Sequence, residues 1–236
     1  RAMAAAVAAA GSCGAPVARF NGQLEHRDLS AALRDSEPAV RAKALYDMGR
    51  MGAHGAETMG HHDTAFGMLD DPSPHVRAAA ALALGQMGSH GAAYADFLAN
   101  VLNFAPGAAN QEPVEVRRAA VKALGNFGEL ASAHAAVLER CVDHDDLDLS
   151  AAACVALGAV RAPQAADRLL EKLRAEDTAV VVAACNGLGY LGQGTDELVG
   201  LLEHGEARIR AAAAAAIPRT PTAVLQHLGR VAECVA

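Results

Sequence analysis

Aromatic side chains are nearly missing from this chain: only 3% of its 236 residues are Phe, Tyr or Trp, and there is no tryptophan. A core without large rings must close around small aliphatic groups. Alanine is plentiful here, has the highest helix propensity and lets helices approach closely. Alternating β-branched and aromatic runs are also lacking, which argues against strands. Basic residues are in deficit, 20 against 27 acidic, for a formal net charge of −7. A nucleic-acid binder carries a basic footprint to displace phosphate counterions, and this chain has none overall. The five cysteines (Cys13, Cys141, Cys154, Cys185 and Cys234) include no CxxC pair. An odd, scattered set favours buried thiols in a reducing compartment over a disulfide framework or a structural zinc site.

Catalytic fingerprints are lacking too. There is no GxSxG, P-loop or dinucleotide motif. "GHHD" at Gly60–Asp63 sets two histidines side by side, and neighbours on a helix diverge, so His61 and His62 do not share a metal. "HDDLD" at His144–Asp148 lacks the glycine and the ligand spacing of a calcium loop and reads as a turn and helix start. No catalytic, cofactor-binding or metal-ligating residue is assigned. The opening "RAMAAAVAAAGSCGAPVARF" is acid-free, and it is too short and too weakly apolar to span a membrane. Residues 1–20 read as an Ala-rich extension or linker, or as the remnant of an organelle-targeting segment, ahead of a repeat domain at 21–236.

What the chain does have is a repeat. "AVRAKALYDMG" at Ala39 returns as "HVRAAAALALG" at His75 and "EVRRAAVKALG" at Glu115. It returns again as "DLSAAACVALG" at Asp148, "AVVVAACNGLG" at Ala179 and "RIRAAAAAAIP" at Arg208. The anchors Val40, Val76, Val116, Leu149, Val180 and Ile209 recur about every 34 residues, the period of a helix-pair solenoid. Four residues after each anchor stands an alanine (Ala44, Ala80, Ala120, Ala153, Ala184, Ala213), and four further on Met, Leu or Ile. This i, i+4, i+8 stripe is one helical face, with the alanines expected at close crossings. Gly49, Gly85, Gly125, Gly158 and Gly189 follow it and suit left-handed helix ends, although "GQMG" at Gly85 and "GNFG" at Gly125 leave two candidate stops, and Pro218 takes the glycine's place in the sixth copy. Ser36, Ser73 and Asp177 are the expected N-caps, with Pro38 and Pro74 in first turns. Companion helices are expected near 27–35, 57–69, 91–103, 130–142, 163–175 and 195–203, with a last one from Pro221, about thirteen helices in all.

These Val-Arg-Ala-Ala-Leu-Gly strings resemble HEAT repeats, most nearly the short HEAT-like repeats of the phycobilin lyase family. The resemblance covers roughly residues 24–236 and implies an all-α, right-handed α-solenoid (an armadillo-like fold) of about six HEAT-like helix pairs. It also implies that Arg41, Arg77, Arg117 and Arg210 pair with acids of the turns, Asp35 and Asp71 among them, as a structural ladder interrupted at Ser150 and Val181. In such solenoids the second helices line the concave side.

Beside the constant stripe, positions at offsets 0, 4, 7 and 11 (His75, Ala79, Leu82 and Gln86 in the second copy) share another face. Its candidate partner-binding residues are Lys43, Tyr46, Arg50, Gln86, Lys122, Asn126, Asn186 and Tyr190. Cations cluster in its N-terminal half, whereas Val155, Ala159 and Val182 make the fourth and fifth copies blander. The function expected is a non-catalytic protein–protein interaction scaffold or peripheral subunit of a larger assembly, without cofactor, nucleic acid or membrane insertion. The alternative, carried by the family resemblance, is a protein that binds a tetrapyrrole or attaches it to a partner. A rival location for contacts is the pair of long connections at 51–62 and 103–113.

Overall fold

The computed structural model describes residues 26–102 and 112–217, without the side chains of 26–28 and 55–59. The extension at 1–20, Pro218, Arg219 and the closing helix expected from Pro221 lie outside the described residues, as does most of the connection at 103–113. Among the described residues all regular structure is helical. Six longer helices carry the repeat strings: α2 (Pro38–Met59), α4 (Pro74–Gln86), α7 (Val114–Phe127), α9 (Leu147–Ala159), α11 (Thr178–Leu191) and α13 (Ala207–Ala216). Between them run shorter outer helices: α1 (His26–Ala32), α3 (His61–Gly67), α5 (Ser89–Ala92), α6 (Ala95–Val101), α8 (Ala135–Cys141), α10 (Ala166–Lys172) and α12 (Thr195–Gly200). Several outer segments are helped into or out of their turns by 3₁₀ stretches, as at Met68–Asp70, Gly128–His134, Pro163–Ala165 and Leu201–Glu203.

The repeat helices pack in sequence against one another, α2 on α4, α4 on α7, and so on to α13, as one dense layer. Outer helices attach mainly to that layer. The six stripe alanines are fully buried, and a larger residue there has no space to enter. The tightest approaches, however, are made by the glycines. A Cβ on Gly49, Gly85, Gly125 or Gly189 would stand 2.7–3.0 Å from the Cα of Ala83, Ala123, Ala156 or Ala216 on the next repeat helix. On Gly158 it would stand 2.5 Å from the Cα of Gly187. These glycines lie inside their helices, so their expected role as helix ends is corrected. Positive φ occurs three residues later, at Gly52, Gly88, Gly128 and Gly192, with φ between 58° and 70°. In the fourth copy that place is taken by Arg161, at φ 58°, where a Cβ is costly.

The turns are tied by side chains at a fixed distance before the repeat arginine. Asp35 Oδ1 accepts from Glu37 N and Asp71 Oδ1 from Ser73 N, both at 2.8 Å. His144 and His204 use Nδ1 in the same way, on Asp146 N and Glu206 N. Asp177 caps α11 as expected, accepting from Ala179 N and Val180 N. Asp146 caps α9 by accepting from Leu149 N. Ser73 stands at the N-cap but makes no side-chain cap bond, and Ser36 lies within a turn held by Asp35. A carboxylate accepts more strongly than a hydroxyl.

The arginine ladder is present with its partners shifted by one repeat. Arg41 forms two 2.8 Å bonds to Asp71 of the following turn, while its Nη1 donates to the carbonyls of Asp35 and Ser36. Arg77 reaches Glu112 and donates to the carbonyls of Asp71 and Pro72. Arg117 lies 3.4 Å from His144 Nε2, and Arg210 holds the carbonyls of His204 and Gly205. In the fourth copy Ser150 Oγ donates to Val142 O at 2.6 Å instead. For Arg41 and Arg77 the expected pairing with the own turn's acid is thus corrected: the own turn offers carbonyls, and the next turn offers the carboxylate.

Candidate interaction surface

Every repeat helix buries its stripe in the layer and turns the neighbouring face outward. Along the stack, offset 7 carries Tyr46, Leu82, Lys122, Val155, Asn186 and Ala215, all exposed or half-buried. Offset 11 carries Arg50, Gln86, Asn126, Ala159 and Tyr190, all exposed except the half-buried Ala159. Offset 4 differs: Lys43 is exposed, Ala152 is half-buried, and Ala79, Ala119, Ala183 and Ala212 are buried. The surface is therefore two rows wide, and Ala79 is not on it.

Seven of the eight candidate residues lie on these two rows and the eighth, Lys43, is exposed beside them at offset 4, with different commitments. Lys43 Nζ meets Asp47 Oδ2 at 2.6 Å, one helical turn on, so its charge is already matched. Among the described residues Arg50 and Lys122 have no ion-pair partner. Gln86 rests its amide over Gly49, and Asn126 approaches Gly85, so each covers the notch a glycine leaves on the preceding helix. Tyr46 and Tyr190 are 38% and 39% exposed. Arg161 Nη1 donates to Tyr190 O at 2.9 Å, and its Nε lies 3.7 Å from Glu129, so one side chain spans three repeats.

Relief on the face centres further along than the cations suggest. A shallow depression of about 350 Å³ crosses α7, α9 and α11, with Ala151, Ala152, Val155 and Val182 lining it and Arg118 and Lys122 at its polar margin. Arg118 is held by Asp148 at 2.7 Å and faces Asp146 at 3.6 Å. The small residues that read as bland are what make the hollow. Arg118 is a break in pattern that the sequence reading passed over: its position is Ala42, Ala78, Ala151 and Ala211 in four copies and Val182 in the fifth.

The expected long connection at 51–62 is corrected as to its structure: residues 51–59 continue α2 beyond a bend at Gly52 and α3 begins at His61. His61 is buried and His62 half-buried, their side chains diverging as neighbours on a helix do. The rare aromatics gather in the outer layer there. Phe66 stacks on Tyr94 at 4.4 Å between ring centroids and meets Phe97 edge-on at 5.2 Å. His62 lies 5.3 Å from the His90 ring. Tyr94 donates to Asp63, and that bond, with burial, pushes its hydroxyl up to about 12. Burial also pushes the thiols up, Cys141 to about 11 and Cys154 and Cys185 to about 12. Thiols so raised stay protonated and unreactive near neutral pH. Among the described residues no three His, Cys, Asp or Glu side chains gather to hold a metal ion, and no helix is long and apolar enough to cross a membrane.

A family model for HEAT repeats matches residues 27–107 and 103–183. No curated protein matches at the sequence level. Among solved structures, the complex of CpcE and CpcF of phycocyanin lyase from Nostoc sp. PCC7120 is 21% identical, with a TM-score of 0.62 over 87% of this chain and 80% of that one. A crystal structure of an engineered protein is 17% identical, with a TM-score of 0.60 over 83% of this chain and 96% of that one. YibA of E. coli is 14% identical, with a TM-score of 0.60 over 89% and 80%.

Proposed function

The chain belongs to the HEAT-repeat family, and from that premise we propose that it is a non-catalytic scaffold or peripheral subunit that binds a protein partner along the exposed rows of its repeat helices. One observation carries the reading. Tyr46 and Tyr190, two of only three tyrosines in the chain, both stand exposed on this face. Exposed tyrosine and arginine supply much of the binding energy once a partner removes water from them. Arg50 and Lys122 add cations without an internal ion pair, which suits an acidic stretch of the partner and speeds encounter more than it tightens the complex. Helices locked by glycine–alanine crossings hold these groups with little ordering left to do on binding.

The test is crosslinking and affinity purification from native extract, comparing the wild type with Tyr46→Ala/Arg50→Glu and with a chain shortened within 103–111. Association lost in the double substitution and kept in the shortened chain supports the surface. The reverse pattern moves the contact to the connection.

A second reading, binding or attachment of a tetrapyrrole, is favoured by the likeness of the repeats to those of phycobilin lyases. Under it, Arg118 and Lys122 beside the hollow would meet the carboxylates of the chromophore. A visible absorption spectrum of an added bilin that does not change with the protein removes that reading.

A further inference from the structure

The outer layer opens toward the last described repeat helix. α10 packs on α11 and α12 packs on α13, two repeat helices that cross closely where a Cβ on Gly189 would stand 2.9 Å from the Ala216 Cα. Between α10 and the α12 end lies a cleft of about 560 Å³, within the range of sites that hold a ligand or a partner's side chains. Leu170, Leu173 and Leu201 line it and are largely covered, so they form its floor. Asp167, Glu171 and Glu197 line it and are exposed, so they form its rim, with Arg174 the one base. Glu171 is bonded to Arg168 at 2.8 Å. Asp167 and Glu197 have no ion-pair partner among the described residues.

We propose that this cleft docks a basic amphipathic helix of a protein partner. The apolar stripe of that helix lies on Leu170, Leu173 and Leu201, and its Lys or Arg side chains reach Asp167 and Glu197. A helix set between two neighbouring helices packs as a ridge in a groove, and an apolar floor with a charged rim is how such grooves select their helix. The site is separate from the repeat-helix face in layer and in sign, since that face offers cations and this cleft offers acids.

Gly200 makes the test clean. It sits at the cleft with helical φ −58° and ψ −33°, and a Cβ there meets nothing within 4 Å. Gly200→Leu therefore fills the cleft without strain and without changing charge. The probe is a fluorescein-labelled synthetic helix of Leu and Lys in amphipathic order, beside a scrambled peptide of the same composition, titrated with the full chain and read by anisotropy at about 0.15 M salt. The wild type is expected to bind the ordered peptide at least tenfold more tightly than the scrambled one. Gly200→Leu and Asp167→Lys/Glu197→Lys are each expected to weaken it at least tenfold, and Tyr46→Ala/Arg50→Glu to leave it unchanged. No binding, equal binding of the scrambled peptide, or full binding by Gly200→Leu overturns the proposal. The last two outcomes mean general attraction to an acidic surface. The charge-reversal pair, on exposed positions, keeps the question decided if Gly200→Leu lowers the melting temperature.

Discussion

Gly158→Ala isolates the effect of one methyl group at a helix crossing. The new Cβ would lie 2.4 Å from Gly187 O, 2.5 Å from its Cα and 2.8 Å from its carbonyl carbon. All three are backbone atoms, so no side chain can swing away, and α9 and α11 must separate. Overpacking of this kind costs about 1–3 kcal/mol. Against it stands the propensity gain of alanine over glycine inside a helix, about 0.5–1 kcal/mol. With backbone on every side the upper part of the first range applies, and a net loss of about 2 kcal/mol is expected. For a chain of this size that lowers the melting temperature by about 4–8 °C. Gly200→Ala is the matched control, being helical with open space around its Cβ, and it is expected to raise melting by about 1–3 °C. Circular dichroism at the helix minimum, scanned with temperature, reads both. A Gly158→Ala protein that melts at or above the wild type would refute the close crossing and the layer geometry built on it.

The other predictions concern strain, charge, thiols and the extension. Arg161→Gly removes a side chain from φ 58° and breaks one exposed hydrogen bond and one exposed ion pair, each of little worth beside the strain, so it is expected to stabilise by about 1 kcal/mol; a fall in melting temperature counts against the strain. The Arg41 hydrogen bonds hold the Asp71 carboxyl below its ordinary value. A depressed folded value contributes stability at neutral pH that is lost as pH falls through it. Asp71→Asn should therefore melt well below the wild type at pH 7, and the gap should close on acidification below about pH 4; a constant gap would contradict the linkage. Cys141, Cys154 and Cys185 should resist alkylation in the native protein at pH 8 and react on unfolding, as read by peptide mass spectrometry; rapid native labelling would show that they are not enclosed. Deleting residues 1–20 should leave the melting curve unchanged, and a large loss of stability would make that segment a cap of the repeat stack.

The repeat layer was legible because each contact recurs. Ala44 through Ala213 hold the same place in six copies, and the structure buries every one. What misled was the choice between two chemically equal signals. "GQMG" and "GNFG" each offer two glycines three apart, and local conformation alone favours a glycine at the helix end. The first of each pair is fixed by a neighbouring helix, a contact no single segment reveals. Ser73 does stand at the N-cap position, but its hydroxyl makes no cap bond, and the side chain that ties the turn is Asp71, which accepts from Ser73's own amide. The cation at Lys43 was readable, yet its neutralisation by Asp47 depends on the rotamers of both. The hollow over Val155 lies on repeat positions, but its depth comes from how three helices pack, and the cluster of Phe66 with Tyr94 and Phe97 joins two outer helices with no periodic mark, so only packing brings either into view.

The contrast between the two layers has a mechanical consequence. Helices that touch backbone to backbone cannot be pushed closer, and pulling them apart opens voids along the whole crossing. The glycine–alanine seam therefore acts as an inextensible rail, and the neutral axis of bending lies close to it. Curvature changes must then be taken up by the outer helices, as a hinged fan changes at its rim and not at its pivot. The width of the cleft beside α12 becomes the gauge of that curvature. Whatever fills it sets the angle between α11 and α13, and with it how the face that carries Tyr190 continues onto the last described repeat helix.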